Sequence, residues 1–310
     1  MIGPSSTSVW AAMGRAFGSR EPDAKVRNPD WLAGKLVGPQ ELALMQDHPL
    51  VSAINRPYEE ASRDMEVIAA SRSMIPRTRF IDERLEAAVG NGTTQLVILG
   101  AGFDSRAYRF EKLLTAVRVF EVDHPATQEV KIQRVREVVG EPPENLVYLA
   151  VDFRKDDLTA ALSAEGYRKD RRTFFIWEGV TMYLPAEAVH ETLRWIAVNS
   201  ASGSSVVFDY FSETAVRVMA NPAAFPIPAP MKESIERFKR LNPEEPFVYG
   251  VPNDKEADLL IGEGLTVGKV LGLNSSEAVE TYLTRTDGTI YGNLPATEQQ
   301  GYLILEAFVP

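Results

Sequence analysis

Cysteine is absent from the 310 residues, so disulfides, thiolate nucleophiles and cysteine-ligated metal or iron–sulfur sites are excluded. A chain of this kind suits a reducing compartment, and a cytoplasmic location is expected. Histidine is nearly as scarce. His48, His124 and His190 are the full set, and no two stand at metal-ligand spacing, so no metal site is expected. Positive charge is short as well: 33 Lys and Arg face 43 Asp and Glu, a formal net charge of -10. Proteins that grip phosphate backbones draw most of their affinity from a basic surface, so nucleic acid is not an expected partner. No apolar run approaches the roughly 20 residues needed to span a bilayer. The opening MIGPSSTSVWAAMGRAFGSR lacks the charged start and long apolar stretch of a signal peptide, so neither a membrane span nor secretion is expected. The sequons at Asn91 and Asn274 then read as chance matches. Internal repeats, low-complexity tracts, a Gly-x-Ser-x-Gly elbow and a P-loop are also missing.

What remains is an ordinary globular composition, 45% hydrophobic and 25% charged, long enough to bury a full core. Residues 1–90 carry apolar side chains at three- and four-residue spacing, notably in PQELALMQDHP and YEEASRDMEVIAASRSMIPRTRFIDERLEAAV. These predict helices that stop at Gly90, Asn91 and Gly92. From residue 95 the texture changes to short apolar strands at 95–100, 117–123, 145–153, 173–179 and 204–211. Their unbroken apolar character predicts burial on both faces, as in a parallel sheet. Amphipathic stretches between them, two of them opening near Pro125 and Pro185, predict crossover helices. The alternation specifies a doubly wound α/β sheet. Two late strands, LTVGKVLGL and GYLILEAFV, would bring the sheet to seven with one reversed if they pair antiparallel. Residues 212–258 break the rhythm and read as an insertion, either a lid or a plain surface excursion. Prolines 222, 226, 228 and 230 are expected to prevent regular structure there, and Phe225, Ile227 and Met231 to offer apolar surface.

The stretch LVILGAGFDSRAYRF is where chemistry first suggests itself. A Gly-x-Gly turn after a buried strand lets a ligand approach the backbone closely. The dinucleotide fingerprint, however, wants a third glycine where Ser105 stands, and Asp104 is a poor neighbour for a pyrophosphate. The next strand ends in FEVDHP. Asp123 follows Gly100 by 23 residues, near the spacing of about 20 at which an acid accepts bonds from ribose hydroxyls. Glu121 competes for that role, being on the same side by alternation but further from the tip. The alternative for Asp123 is a cap on the helix opening at Pro125.

LGAGFDSRAYR, FEVDHP, VDFR and WEGVTMYL, preceded by RTRFID, together resemble the S-adenosyl-L-methionine (AdoMet)-dependent methyltransferases of the leucine carboxyl methyltransferase group, in particular a branch abundant in mycobacteria. The resemblance is dense from about residue 75 to 210. It implies a seven-stranded, mostly parallel Rossmann-like sheet of the class I methyltransferase kind, with residues 1–90 as a helical cap on a core of 91–310. It implies AdoMet as cofactor. Gly100, Ala101 and Gly102 would form the AdoMet-facing turn and Asp123 would take the ribose. Asp152 and Phe153 would bracket the adenine, Glu178 would lie beside the methionine moiety, and Arg77 would bind its carboxylate, with Arg79 as the alternative. Tyr183 would face the acceptor. Against these roles stand plainer ones: solvated helix charges for the arginines, a helix cap for Asp152, strand-end structure for Glu178 and core packing for Tyr183. The group's N-terminal basic residue on the substrate side has no clear match, Arg15 being the candidate.

Methyl transfer from a sulfonium needs alignment more than a nucleophile, and positioning is worth roughly 7–11 kcal/mol. A carboxylate acceptor needs no base. A hydroxyl acceptor does, and Asp209 at the end of the fifth strand is the candidate, with a capping or structural role as the alternative. The expected function is AdoMet-dependent O-methylation of a small or medium lipophilic carboxylate or hydroxyl. The alternatives are an NAD(P)-dependent oxidoreductase and a non-catalytic AdoMet-binding protein.

Overall fold

The computed structural model describes residues 5–152, 156–297 and 301–310. Seven strands form one sheet: β1 (Gln95–Leu99), β2 (Arg118–Asp123), β3 (Leu146–Ala150), β4 (Thr173–Trp177), β5 (Ser205–Phe211), β6 (Thr266–Gly272) and β7 (Tyr302–Phe308). Their order is β3-β2-β1-β4-β5-β7-β6. The pairs from β3 across to β5 are parallel, whereas β7 runs antiparallel to both β5 and β6. The reversed strand is therefore β7, and it enters between β5 and β6 after the long connection 273–301 rather than by a tight hairpin. The fold is a Rossmann-like α/β sheet, as the strand–helix alternation requires. β4 stops before Glu178 and Gly179, because Gly179 takes a φ of 70° that ends the extended run.

Alternation along each strand divides the core in two. Leu96, Ile98, Phe174, Ile176 and Val207 face the N-terminal helices. Val97, Leu99, Phe175, Trp177, Val206 and Phe208 face the helices of the opposite layer. The first layer contains α1 (Ser6–Gly18), α2 (Met65–Arg72) and α3 (Met74–Gly90). Ser5 and Asp64 cap α1 and α2 through backbone amides of the first turn, each worth about 1 kcal/mol. α3 ends at Gly90, and Gly92 turns the chain at a φ of 89°. α4 (Pro125–Val138) has proline in its first turn, where the missing amide costs nothing. α5 (Leu158–Ala164) and α6 (Ala186–Val198) complete the crossovers.

The insertion is more regular than its prolines suggest. α7 (Glu213–Ala220) precedes a single 3-10 turn at Pro222–Ala224, and α8 (Ala229–Leu241) follows. Pro228 and Pro230 lie at the N-terminus of α8, the one place in a helix where proline fits. Between α7 and α8 regular structure is missing at 221 and around 225–228, and after α8 no helix or strand begins until residue 256.

Candidate cofactor and acceptor site

The chain leaves β1 toward β2 on one side of the sheet and later builds β4 and β5 on the other. The carboxyl ends of β1 and β4 therefore flank a topological switch point, where open α/β sheets bind ligands. On the β1 side, Gly100 and Gly102 have φ values of 66° and 45°. A Cβ at Gly100 would stand 2.6 Å from Val180 Cγ2, so the turn leaves no room for a side chain. The amides of Gly100 and Ala101 both donate to the Val122 carbonyl, at 2.9 and 3.0 Å, which fastens the turn to β2.

Asp123, at the tip of β2, accepts the Gly102 amide on one carboxylate oxygen and the His124 amide, at 2.6 Å, on the other. Burial raises its pKa above the ordinary value, partly offset by those two bonds. The capping role falls instead on His124, whose Nδ1 accepts the Ala126 amide at 3.3 Å. Glu121 is withdrawn from the site: it is fully buried, and Lys131 Nζ sits 2.7 Å from its carboxylate. Burial pushes the Glu121 carboxyl up to about 7 despite that lysine.

Ser105, in the place of a third glycine, donates to Asp30 at 2.6 Å and accepts from Arg109 Nε at 2.8 Å. Asp104 turns onto the backbone and guanidinium of Arg106. Both residues belong to a buried lattice that also holds Asp82 and Arg15. Arg15 pairs with Asp30 at 2.8 Å and donates to the Phe103 carbonyl at 2.9 Å. Arg15 thus braces the loop from beneath.

Two residues on a helix point about 200° apart, and α3 separates Arg77 from Arg79 accordingly. Arg79 donates to the carbonyls of Ala24 and Arg27, away from the switch point. Arg77 enters it, buried, with Nη2 2.8 Å from Glu178 and Nη1 3.0 Å from Asp209. Glu178 also meets Arg106 at 2.7 Å. Burial opposes its charge, yet Arg77 and Arg106 hold the carboxyl far below the ordinary carboxylate range. Asp209 shows the opposite balance. Burial raises its pKa more than Arg77 lowers it, while the Gly179 amide donates to it at 2.6 Å. Buried Arg77 Nε and Arg106 Nη2 have no acceptor among the described residues.

Beyond Arg77 a cavity of about 290 Å³ opens, walled by Trp10, Phe211, Phe238 and Phe247 with Met182 and Met219. Tyr183 lines it, its ring set edge-on against Phe247 at 5.2 Å. The insertion closes one side through Met219, Ile235, Phe238 and Phe247. The apolar residues expected there, Phe225, Ile227 and Met231, are not in the wall, and Met231 is exposed on α8. Tyr302 is in the wall and escaped sequence reading. It stacks on Phe211 at 4.3 Å, accepts from Arg77 and donates to Asp209. Only the β5–β7 register, which pairs Phe211 with Tyr302, brings it there. Asp152 follows β3 and its amide donates to Asp156 at 2.8 Å, while Asp157 caps α5. Phe153 lies outside the described residues.

A glycine-rich turn, a carboxylate at the β2 tip, an acid just after β4 and the Arg77 guanidinium from α3 therefore lie together at the switch point. The buried donors without acceptors, Arg77 Nε and Arg106 Nη2, suit a ligand that carries a carboxylate.

Comparison with known proteins gives the same picture. The profile of the leucine carboxyl methyltransferase family matches residues 8–197. A Streptomyces coelicolor protein assigned by name as an S-adenosyl-L-methionine-dependent methyltransferase is 37% identical over 199 residues, spanning 64% of this chain and 66% of its own. A Mycolicibacterium smegmatis protein with the same assignment is 34% identical over 218 residues, 70% of each chain. The matched segment thus spans about two thirds of these relatives. A Thermobifida fusca crystal structure, of a protein assigned as a methyltransferase, superposes with a TM-score of 0.53 at 14% identity, covering 100% of this chain and 96% of the other. That likeness is one of fold. β5, the insertion, β6 and β7 lie beyond the stretch the family profile matches.

Proposed function

The chain belongs to the leucine carboxyl methyltransferase family of S-adenosyl-L-methionine-dependent methyltransferases, and from that premise we propose that it methylates an oxygen of a small or medium lipophilic acceptor, a carboxylate or a hydroxyl. Bound AdoMet supplies a methyl carbon already activated by its sulfonium. In this reading Gly100, Ala101 and Gly102 form the turn against the cofactor, and Asp123 accepts from the ribose hydroxyls. Each oxygen of its carboxylate has a second lone pair left after the backbone bond it already takes. Asp152, with Phe153, takes the adenine end. Arg77 offers its fork to the methionine carboxylate, and Glu178 faces the ammonium. Tyr183 borders the acceptor and Asp209 is available to receive a proton.

The observation that carries the proposal is that Arg77 and Gly179 belong at once to the charged cluster and to the wall of the aromatic cavity. A cofactor held by the cluster would face that cavity. The cap of residues 1–90 contributes Arg77 and Trp10, and the insertion at 212–258 closes the far side. An apolar enclosure excludes water and aligns the acceptor, which is most of what this displacement asks of a protein. A cytoplasmic setting is part of the proposal.

Calorimetry with AdoMet, S-adenosylhomocysteine and NAD(H), followed by mass spectrometry of acceptors incubated with methyl-labelled AdoMet, tests it. Micromolar affinity for the first two and far weaker binding of NAD(H) is expected. A preference for NAD(H) would refute the cofactor assignment. Tight AdoMet binding with no labelled product from any acceptor would leave a binding protein and not an enzyme.

A further inference from the structure

Four arginines are buried among the described residues: Arg15, Arg72, Arg77 and Arg106. Three of them face carboxylates: Arg15 meets Asp30, Arg77 meets Glu178 and Asp209, and Arg106 meets Asp82 and Asp104. Arg72, the last residue of α2, meets none among the described residues. Its Nη1 donates to the Tyr291 carbonyl and its Nε donates to Asn274 Oδ1 at 3.1 Å, while its buried Nη2 has no acceptor there. Burial lowers its pKa to about 10, and Tyr291 offsets that only in part. A buried guanidinium without a counter-charge is costly to keep. This one stands directly behind the acceptor cavity, because Ser73, the next residue, and Asn274 both line it.

The contact with Asn274 decides what the cavity meets. A guanidinium can only donate, so the oxygen of the Asn274 amide is turned to Arg72 and the NH2 group is turned away. Neither that NH2 group nor Ser73 Oγ has a partner among the described residues, and both residues are in the cavity wall. Arg77 belongs to the cofactor cluster, and its amide donates to the Ser73 carbonyl at 3.3 Å. Ser73 is therefore one helical turn, about 6 Å, back along the chain from Arg77. Ser73 and Asn274 thus form a second polar pole in a largely aromatic wall, separate from the end that faces the cofactor cluster.

We infer that this pole is a subsite for an anionic group of the acceptor, a carboxylate distinct from the oxygen that receives the methyl. Ser73 and Asn274 donate to it. Arg72 is a positioning residue that acts through Asn274: it fixes the orientation of the amide and supplies the positive potential behind it. The inference rests on the methyltransferase reading above and narrows the acceptor to a compound with two polar ends on an apolar body, a hydroxy acid or a dicarboxylic acid. The methylated end is a carboxylate or a hydroxyl, as before; the far end is an acid.

The test compares 6-hydroxy-2-naphthoic acid with 6-hydroxy-2-naphthamide, and naphthalene-2,6-dicarboxylic acid with 6-carbamoyl-2-naphthoic acid. Each pair shares a methylatable oxygen and differs in the charge at the far end, and 2-naphthol lacks the far group altogether. Calorimetry on the free protein and on its S-adenosylhomocysteine complex gives affinities, and methyl-labelled AdoMet gives kcat and KM. The wild type should bind each acid about tenfold or more tightly than its amide, in line with hydrogen bonds to a charged group, and the difference should lie in KM more than in kcat. The dicarboxylic acid should stop at the monoester, whose far end is no longer charged. In Asn274→Asp the new carboxylate pairs with Arg72 and repels that of the ligand, so the fold is kept and the preference for the acid is lost or reversed. Arg72→Gln removes the charge but keeps a donor for the Tyr291 carbonyl, and the acid-to-amide ratio should fall to within about twofold. An Arg72 that only braces the Tyr291 segment would weaken acid, amide and 2-naphthol alike and leave that ratio unmoved. Equal wild-type affinity for acid and amide, a ratio unchanged in both variants, or no binding of any of these compounds would each overturn the inference while leaving AdoMet binding intact. A preserved acid preference without methyl transfer would refute the enzymatic reading alone. Failure to bind S-adenosylhomocysteine and AdoMet would refute the cofactor assignment and the inference with it.

Discussion

Replacing Asp123 by asparagine separates the two tasks of that side chain. The carboxylate ties the glycine turn to the tip of β2 by accepting the amides of Gly102 and His124, and in the proposed role it also accepts from the ribose of AdoMet. Asparagine has one acceptor oxygen and an amino group that can only donate. It can therefore satisfy one of the two backbone amides and must turn its own N–H groups toward the other. The unmet amide costs about 1–3 kcal/mol, which in a chain of this length lowers the thermal midpoint by roughly 2–6 °C. The binding loss is separate. A hydrogen bond to a charged acceptor is worth about 1.5–3 kcal/mol, so affinity for AdoMet should fall roughly 10- to 150-fold. The two backbone bonds are the reason that the unliganded protein is affected as well. Differential scanning calorimetry of the free protein and isothermal titration with AdoMet and S-adenosylhomocysteine measure the two effects independently. Both ligands should lose affinity alike, because both carry the ribose. A lowered midpoint with AdoMet affinity unchanged within twofold would show that Asp123 only fastens the loop, and the ribose assignment would fall.

Three further outcomes are expected. Glu121 has its pKa raised by burial to about 7, so the folded state holds more protons than the unfolded chain between the ordinary carboxylate range and pH 7. Stability should therefore decline as pH rises through that window. Glu121→Gln combined with Lys131→Met removes both buried charges, should leave the protein as stable or up to about 4 kcal/mol more so at pH 8, and should flatten that decline; chemical denaturation from pH 4.5 to 8 decides, and a persisting slope refutes the assignment. His48 behaves oppositely: burial, with Arg237 nearby, lowers its pKa to about 4, so its contribution is complete above pH 6.5 and is lost as pH falls toward 4. Its Nδ1 accepts the Leu50 amide at the start of a helix, a role asparagine fills well, so His48→Asn should stay within about 1 kcal/mol at pH 8 and resist acid better; equal acid sensitivity would contradict the reasoning. Finally, α7 buries no residue fully and α8 buries only Ile235, so amides at 213–241 should exchange well before those of β1 and β4 and slow about tenfold with S-adenosylhomocysteine and 2-naphthol together; full protection before ligand is added would make the insertion a rigid wall.

Short-range physics wrote much of this protein into its sequence. The strand–helix alternation, the buried apolar runs and the proline-opened helices follow from local preference and periodicity, which act over a few residues. The glycine turn and Asp123 were legible for the same reason, since both sit at strand ends whose direction and spacing are local. The family resemblance named Arg77, with Arg79 as the alternative. The choice came from helical rotation, which turns Arg77 toward the switch point and Arg79 to the carbonyls of Ala24 and Arg27. Prolines misled in the insertion, because their effect depends on where a helix begins, and α8 begins at them. Alternation put Glu121 and Asp123 on one side with Asp123 nearer the tip, and the depth of β2, with Lys131 waiting beneath, makes Glu121 half of a buried pair. Tyr302 had no local mark at all. It stands 93 residues beyond Asp209, and it reaches that carboxylate only because β7 reverses direction and slots between β5 and β6. Strand insertion of that kind is a property of the assembled sheet, where the pairing energy is shared among distant segments, and so the place of Tyr302 beside Asp209 belongs to the tertiary structure alone.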